Sequence, residues 1–376
     1  MPARRTFLDA GGRSPVSART VQALNAGIAD GWADPTRLTS EARQSRALLD
    51  GARGAIADVL GVSVENVHFA HSVPMAFERL LRATYAARRG RDRIVVSAIE
   101  REAVIDVADF IANGAVDRVQ VDPQGHIDLA ALADYVGHPA TAIAAVQHAN
   151  HEIGTIQRLD DVHAITSAAG VPLVVDATAS LGHVEPPSHW DALVADPADW
   201  GAPAGLAVVA IRPQTRWLEA WPDGDDPWAP GGVSVPLALA SAVALQERME
   251  SLTSEGQRQF DLVSRIRNDM SRMEGVHIVG DAVERLPHLV TAAFLYLDGE
   301  PLVSRLDREG FSVGSGSACG KSQFQPSQVL AAMGALTHGN VRIGLHPGVS
   351  DDDVERFIAT MPRVIEGVRG SMASDE

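Results

Sequence analysis

Two side chains are almost missing from this 376-residue sequence, which has one cysteine, Cys319, and one lysine, Lys321. A lone cysteine excludes an intramolecular disulfide and any zinc site built from clustered thiolates. A lone lysine confines amine chemistry to a single side chain, because every other basic residue is an arginine. A basic excess is missing too. Asp and Glu number 48 against 32 Lys and Arg, for a formal net charge of −16. Nucleic acid is held by a basic face, so this balance argues against a nucleic-acid-binding protein. No apolar run reaches the roughly 18 residues that a spanning helix needs, so no membrane partner is expected. The opening MPARRTFLDAGG has arginines but no apolar core behind them. It does not read as a secretory signal, and a cytoplasmic protein is expected.

What is present suits a globular chain, with 45% hydrophobic and 21% charged residues. The length fits two domains or one large α/β unit. Short β-branched runs predict strands at Arg93–Ala98, Ala142–Gln147, Pro172–Asp176, Leu206–Arg212 and Leu289–Leu297. Amphipathic stretches predict helices at Val16–Gly31, Ser40–Leu60, Met75–Ala87, Ala103–Asn113, Leu159–Ala169, Pro236–Leu252 and Gln257–Met273. Their alternation implies βαβ units and a mostly parallel sheet. Ligands of such sheets bind beyond the carboxyl ends of strands. Val174-Val175-Asp176 and the stretch from Val146 to Asn150 are therefore candidates to line one crevice. Pro222 to Gly232 is expected to be a loop, and the tail from Gly370 a frayed end.

Five segments carry a sharper signal: Val146-Gln147-His148-Ala149-Asn150-His151-Glu152-Ile153-Gly154, Val175-Asp176-Ala177-Thr178-Ala179-Ser180, Gly316-Ser317-Ala318-Cys319, Val341-Arg342-Ile343-Gly344 and Phe7-Leu8-Asp9. Taken in chain order, and with Gln325-Pro326-Ser327-Gln328-Val329-Leu330 also in place, they resemble the cysteine desulfurases, class V aminotransferases among the fold type I pyridoxal-phosphate (PLP) enzymes. The resemblance runs over nearly the whole chain. It implies an α/β PLP-transferase fold of type I, with a mostly parallel seven-stranded sheet in a large domain, residues 15–245. A smaller C-terminal α/β domain, residues 1–14 and 246–376, would carry the Cys319 loop. It also implies a homodimer with active sites near the subunit interface. By resemblance Cys319 is the sulfur acceptor that becomes a persulfide. Arg342 grips the substrate carboxylate, Asn150 is a substrate contact, and Asp176 faces the pyridine nitrogen.

The family pattern is broken where the cofactor would be held. Register from Pro203 and Gly205 puts Asp199 at the position of the family's Schiff-base lysine, and a carboxylate cannot supply the amine. The phosphate segment corresponds to Ser72-Val73-Pro74, and proline brings neither N–H nor hydroxyl. A second phosphate element falls at Ala229-Pro230-Gly231-Gly232, without the family's arginine and threonine. The stacking imidazole is replaced by Arg101. No bound cofactor is therefore expected, although PLP is the cofactor that the resemblance implies. Ser72, Arg101, Asp176 and Asp199 would be remnants of its site.

Other features admit plainer roles as well. A glycine-flanked loop beside Lys321 favours a reactive Cys319 thiolate; the alternative is an inherited cysteine with no task. Arg342 suits a carboxylate fork or a structural ion pair, and Asn150 a ligand contact or a loop cap. His71, His151, Asp176 and Asp199 would form an acid–base or metal cluster if they converged, but no motif spacing supports this and no metal is expected. Ser315 to Ser322 narrowly misses the P-loop pattern, with no convincing helix after it. Three readings follow: a desulfurase-like partner or scaffold without PLP chemistry, joined to itself or to a sulfur-transfer protein; an active PLP-dependent desulfurase using Cys319; and a PLP-free enzyme reusing the crevice.

Overall fold

The computed structural model describes residues 5–218, 226–315, 327–335 and 339–372. The chain begins with β1 (Thr6–Phe7), α1 (Ala18–Asp30) and α2 (Ser40–Leu60). An alternating series follows: β2 (Val67–Ala70), α3 (Val73–Ala86), β3 (Arg93–Ser97), α4 (Glu102–Ile111), β4 (Val116–Val119), α5 (Leu129–Val136), β5 (Thr141–Gln147), α6 (Leu159–Ala168) and β6 (Leu173–Asp176). Then come β7 (Ala192–Ala195), β8 (Ala207–Ile211) and the long α7 (Val235–Met270). The remainder is β9 (Val276–Val279), β10 (Leu289–Phe294), α8 (Gly299–Arg308), β11 (Phe311–Ser312), α9 (Gln328–Ala332), β12 (Asn340–Gly344) and α10 (Asp351–Met372).

The large sheet has seven strands in the order β2-β8-β7-β6-β5-β3-β4. Only β8 runs against its neighbours. Every residue of β5 is buried, as its apolar run from Ala142 to Val146 requires of a strand covered on both faces. Val95, Ala144 and Val146 pack on one side with α2, α5, α6 and α7. Ile94, Val96 and Ala145 pack on the other with Phe77, Leu80 and Leu81 of α3 and with α4. This is the mostly parallel, two-faced architecture of the type I PLP-transferase fold.

The smaller unit is a three-stranded antiparallel sheet, β12-β10-β9, joined by the parallel pair of β1 and β11. Its core includes Phe294, Phe311, Phe357 and Met361. The sequence predicts two helices between Pro236 and Met273, but one helix of 36 residues forms, about 54 Å long at 1.5 Å per residue. Its first half packs Val235, Ala238 and Leu245 into the large core. Its second half packs Leu262, Ile266 and Met270 into the small one. The roughly 1 kcal/mol cost of Gly256 inside a helix is small against burial at both ends. The expected boundary between residues 245 and 246 thus falls inside this helix. Among the described residues no helix is long and apolar enough to cross a membrane.

Candidate active site

The carboxyl ends of β5, β6 and β7 release three turns side by side, with Gln147 registered on Asp176 and Asp176 on Val194. After β5 the chain folds over Asn150, which is fully buried. Its Oδ1 accepts from the backbone N–H of Glu152 (2.8 Å) and of Ile153 (2.9 Å). Its Nδ2 donates to the Ile99 carbonyl at 3.0 Å and to Gln147 Oε1 at 3.4 Å. The side chain is thus taken up in holding its own turn.

Asp176 ends β6. Its Oδ1 accepts from the N–H of Thr178 at 2.8 Å and from its hydroxyl at 2.5 Å. Its Oδ2 accepts from Arg101 Nε at 3.2 Å, while Arg101 Nη2 donates to Thr178 Oγ1 at 2.5 Å. The guanidinium therefore lies against the carboxylate and the neighbouring hydroxyl together. Burial, and then the Asp176 charge, push the Glu100 carboxyl well up from its ordinary range. Its Oε1 accepts from the Gln147 N–H at 2.6 Å. Burial lowers His151 well below its usual value, assisted by the cations Arg101 and Arg342. His151 is thus a neutral imidazole near both arginines.

The turn after β7 is tight: Asp199 N–H donates to the Asp196 carbonyl at 3.1 Å, and Ala198 N–H to Asp196 Oδ1 at 3.0 Å. Asp199 is 1% exposed. Its Oδ2 lies 3.2 Å from His183 Nε2, but neither carboxylate oxygen receives a well-formed hydrogen bond. His183 stacks on His288, ring centres 3.8 Å apart and planes within 17°. Burial holds His183 at about 3 and His288 well below its normal range. Two neutral rings therefore flank a carboxyl that burial pushes up. Asp196 is also pushed up by burial, to about 6. Arg248 Nε donates to the Trp200 carbonyl at 3.0 Å, next to this cluster.

Arg342 reaches the same side from β12. Its Nη2 donates to Asp9 Oδ1 at 3.1 Å and its Nη1 to the His151 carbonyl at 3.4 Å. Its Nε is buried without a partner. A Cβ at Gly314 would stand 2.5 Å from Asp9 Oδ1 and 3.0 Å from Arg342 Nη2, so only glycine lets that backbone pass. Ser72 is the N-cap of α3, its Oγ accepting from Met75 N–H at 3.4 Å, and Pro74 lies in the first turn. His71 stands apart from the cluster, its Nε2 3.2 Å from the Pro230 carbonyl.

Cys319 and Lys321 lie outside the described residues. On the far side of that stretch, Ser327 Oγ donates to Glu152 Oε2 at 2.8 Å, which ties the chain to the Asn150 turn. Sequence reasoning named Asp176, Asp199, Arg101 and His151 but missed His183, His288 and Arg248. Their signal is weak: single histidines in unrelated loops and one arginine among many. Among the described residues no group of three or more His, Cys, Asp or Glu is placed to hold a metal ion.

The profile of the Aminotransferase class-V family matches residues 6–236 and 234–357. The chain is 29% identical over 375 residues to "Cysteine desulfurase IscS 1" of Archaeoglobus fulgidus, covering 96% of this chain and 97% of that protein. It is 25% identical over 380 residues to "Cysteine desulfurase IscS" of Dictyoglomus turgidum, covering 97% and 96%. Among solved structures it superposes on a "NIFS-LIKE PROTEIN" with a TM-score of 0.88 at 21% identity, covering 96% and 99%. A cysteine desulfurase from Thermococcus onnurineus NA1 gives a TM-score of 0.85 at 19% identity, covering 96% and 95%.

Proposed function

Because this chain belongs to the class-V aminotransferase family, we propose that it keeps the desulfurase scaffold without lysine-anchored PLP chemistry and serves as a partner or scaffold, in sulfur transfer or beside an active relative. The observation that carries this reading is Arg101 donating to Asp176. Asp176 is the group that would hold the protonated ring nitrogen of the cofactor, and a built-in guanidinium already neutralises it. Three further points support the reading. Asp199, not an amine, occupies the turn after β7. The α3 N-terminus is capped by its own Ser72 and carries Pro74, which reduces the free N–H groups a phosphate needs. The only lysine is Lys321. On these grounds the residues do not fit PLP held as a Schiff base.

A second reading has its own support. The relatives are named as cysteine desulfurases, and Gly316-Ser317-Ala318-Cys319 matches the family's sulfur-accepting segment. The comparisons favour this active reading: a PLP-dependent desulfurase placing a persulfide on Cys319, with Arg342 binding the substrate carboxylate. One experiment separates the two. Purified protein is incubated with PLP, reduced with borohydride and mapped by mass spectrometry, and sulfide release from cysteine is measured alongside. The first reading expects no covalent adduct, no visible absorbance band and no sulfide. An adduct on Lys321 with sulfide release lost in Cys319→Ala overturns it and establishes the second. A PLP-free enzyme reusing the crevice has no observation of its own to favour it.

A further inference from the structure

A second site is built at the other end of the seven-stranded sheet. Arg91 Nη1 donates to the Thr141 carbonyl at 2.8 Å, where β5 begins. Arg88 Nη2 donates to the Gly170 carbonyl, just before β6. Both arginines thus stand at the amino ends of the parallel strands, whereas the crevice lies at their carboxyl ends. With Arg89, Arg216, Trp217 and Leu218 they line a groove of about 760 Å³. No carboxylate lines it, although the chain as a whole carries a net charge of −16. Arg89 and Arg216 are exposed. The guanidinium of Arg88 is disfavoured by burial first and then by the charges of Arg91 and Arg216, with only Asp191 opposing. A bound anion would relieve this crowding of cations.

Trp217 also lines a neighbouring recess of about 210 Å³, together with Ala83, Pro227 and Trp228, with Glu78, Arg79 and Arg82 at its side. Glu78 accepts from Arg82 Nε at 2.6 Å. Trp217 and Trp228 lie 5.5 Å apart between ring centres. Trp228 is 1% exposed, and its indole N–H is buried with no acceptor. That N–H is sealed from solvent, so the aromatic surface the recess offers a ligand is the half-buried Trp217. An aromatic wall at Trp217 beside four arginines thus combines two demands: a flat head and a multiply charged anionic tail.

We propose that this groove binds a nucleotide, its base in the Trp217–Trp228 recess and its phosphates among Arg88, Arg89, Arg91 and Arg216. Arg forks suit phosphate oxygens, and stacking on tryptophan is open to any base. The acidic remainder of the chain favours a free nucleotide over a strand, since a long polyanion would meet repulsion outside the groove. The proposal rests on neither reading of the crevice.

Calorimetric titration of the full-length protein with ATP, adenosine, inorganic triphosphate, a single-stranded oligonucleotide and a poly-glutamate peptide tests the proposal. ATP should bind with a Kd in the micromolar range, and adenosine and triphosphate each at least about tenfold more weakly. The double variant Arg89→Glu, Arg216→Glu should weaken ATP binding at least about tenfold without moving the melting temperature of the free protein; Trp217→Ala, which also loses packing on the core, should weaken it at least about tenfold at a temperature where the variant is folded. If the oligonucleotide binds more tightly than ATP, with a steep loss in salt, the site reads a strand and the proposal of a free nucleotide is overturned. If ATP binds more tightly, it is recognised free. Triphosphate binding as well as ATP, both variants binding as wild type, or capture of the peptide but not ATP would each overturn the proposal.

Discussion

The turns after β5 and β7 leave the same end of the same sheet, yet they are built in opposite ways. Every donor and acceptor of the Asn150 side chain has a backbone or side-chain partner. Around Asp199 a buried carboxyl lacks good donors and faces two stacked neutral imidazoles. A complete lattice fixes a backbone path, and its residues are accounted for by that task. An incomplete one holds polar groups in the dry interior at a cost, so the two turns should answer substitution differently.

The pH profile gives the largest expected effect. Burial holds His68 and His148 at about 4 and His183 at about 3. The unfolded chain takes up these protons near the ordinary value of 6.5. Stability should therefore rise with pH from about 4 to 6.5, by several kcal/mol in all. Asp196 works the other way: its proton is held to about 6 in the fold and released near 3.8 when unfolded, so it lowers stability as pH rises through that window. Urea unfolding at pH 4.5 and 7 should show the rise, and Asp196→Asn should steepen it. A flat profile would mean the histidines are charged in the fold.

Next is Asn150→Ala, which leaves the buried N–H groups of Glu152 and Ile153 without their acceptor. A loss of about 2–4 kcal/mol is expected, read as a lower urea midpoint at unchanged slope. A loss under about 0.5 kcal/mol would break the contrast between the two turns. Gly182→Ala tests how tightly the second turn is pressed. Gly182 has φ +84°, and a Cβ there would lie 2.7 Å from Trp200 Cβ. Thermal melts should show about 1–3 kcal/mol of destabilisation. The smallest effect is expected from Asp199→Asn. Burial raises the Asp199 carboxyl from 3.8, so its charge weighs against folding above that pH. The amide should gain about 1 kcal/mol at pH 7 and nothing at pH 3.5. A strong loss at pH 7 would mean that the carboxylate is needed there.

The alternation of strands and helices was legible from residue pattern alone, because β5 is buried on both faces and its sequence is apolar from Ala142 to Val146. The halves of α7 were legible, but not their union, since Gly256 reads as a break until two cores are seen to hold the helix on either side. In the site, Asp176 and Arg101 were found through the resemblance, but not their contact, which depends on the spacing of two strands. His183 and His288 left no pattern: they lie 105 residues apart, and only the packing of their loops stacks one ring on the other.

The shared helix also bears on how the chain comes apart. Neither hydrophobic centre can dissolve without stripping one half of α7 of its packing, and a half-helix of that length is only marginally stable in water. Melting is therefore expected as one cooperative event, and severing the chain near Gly256 should leave two fragments that fold only when mixed.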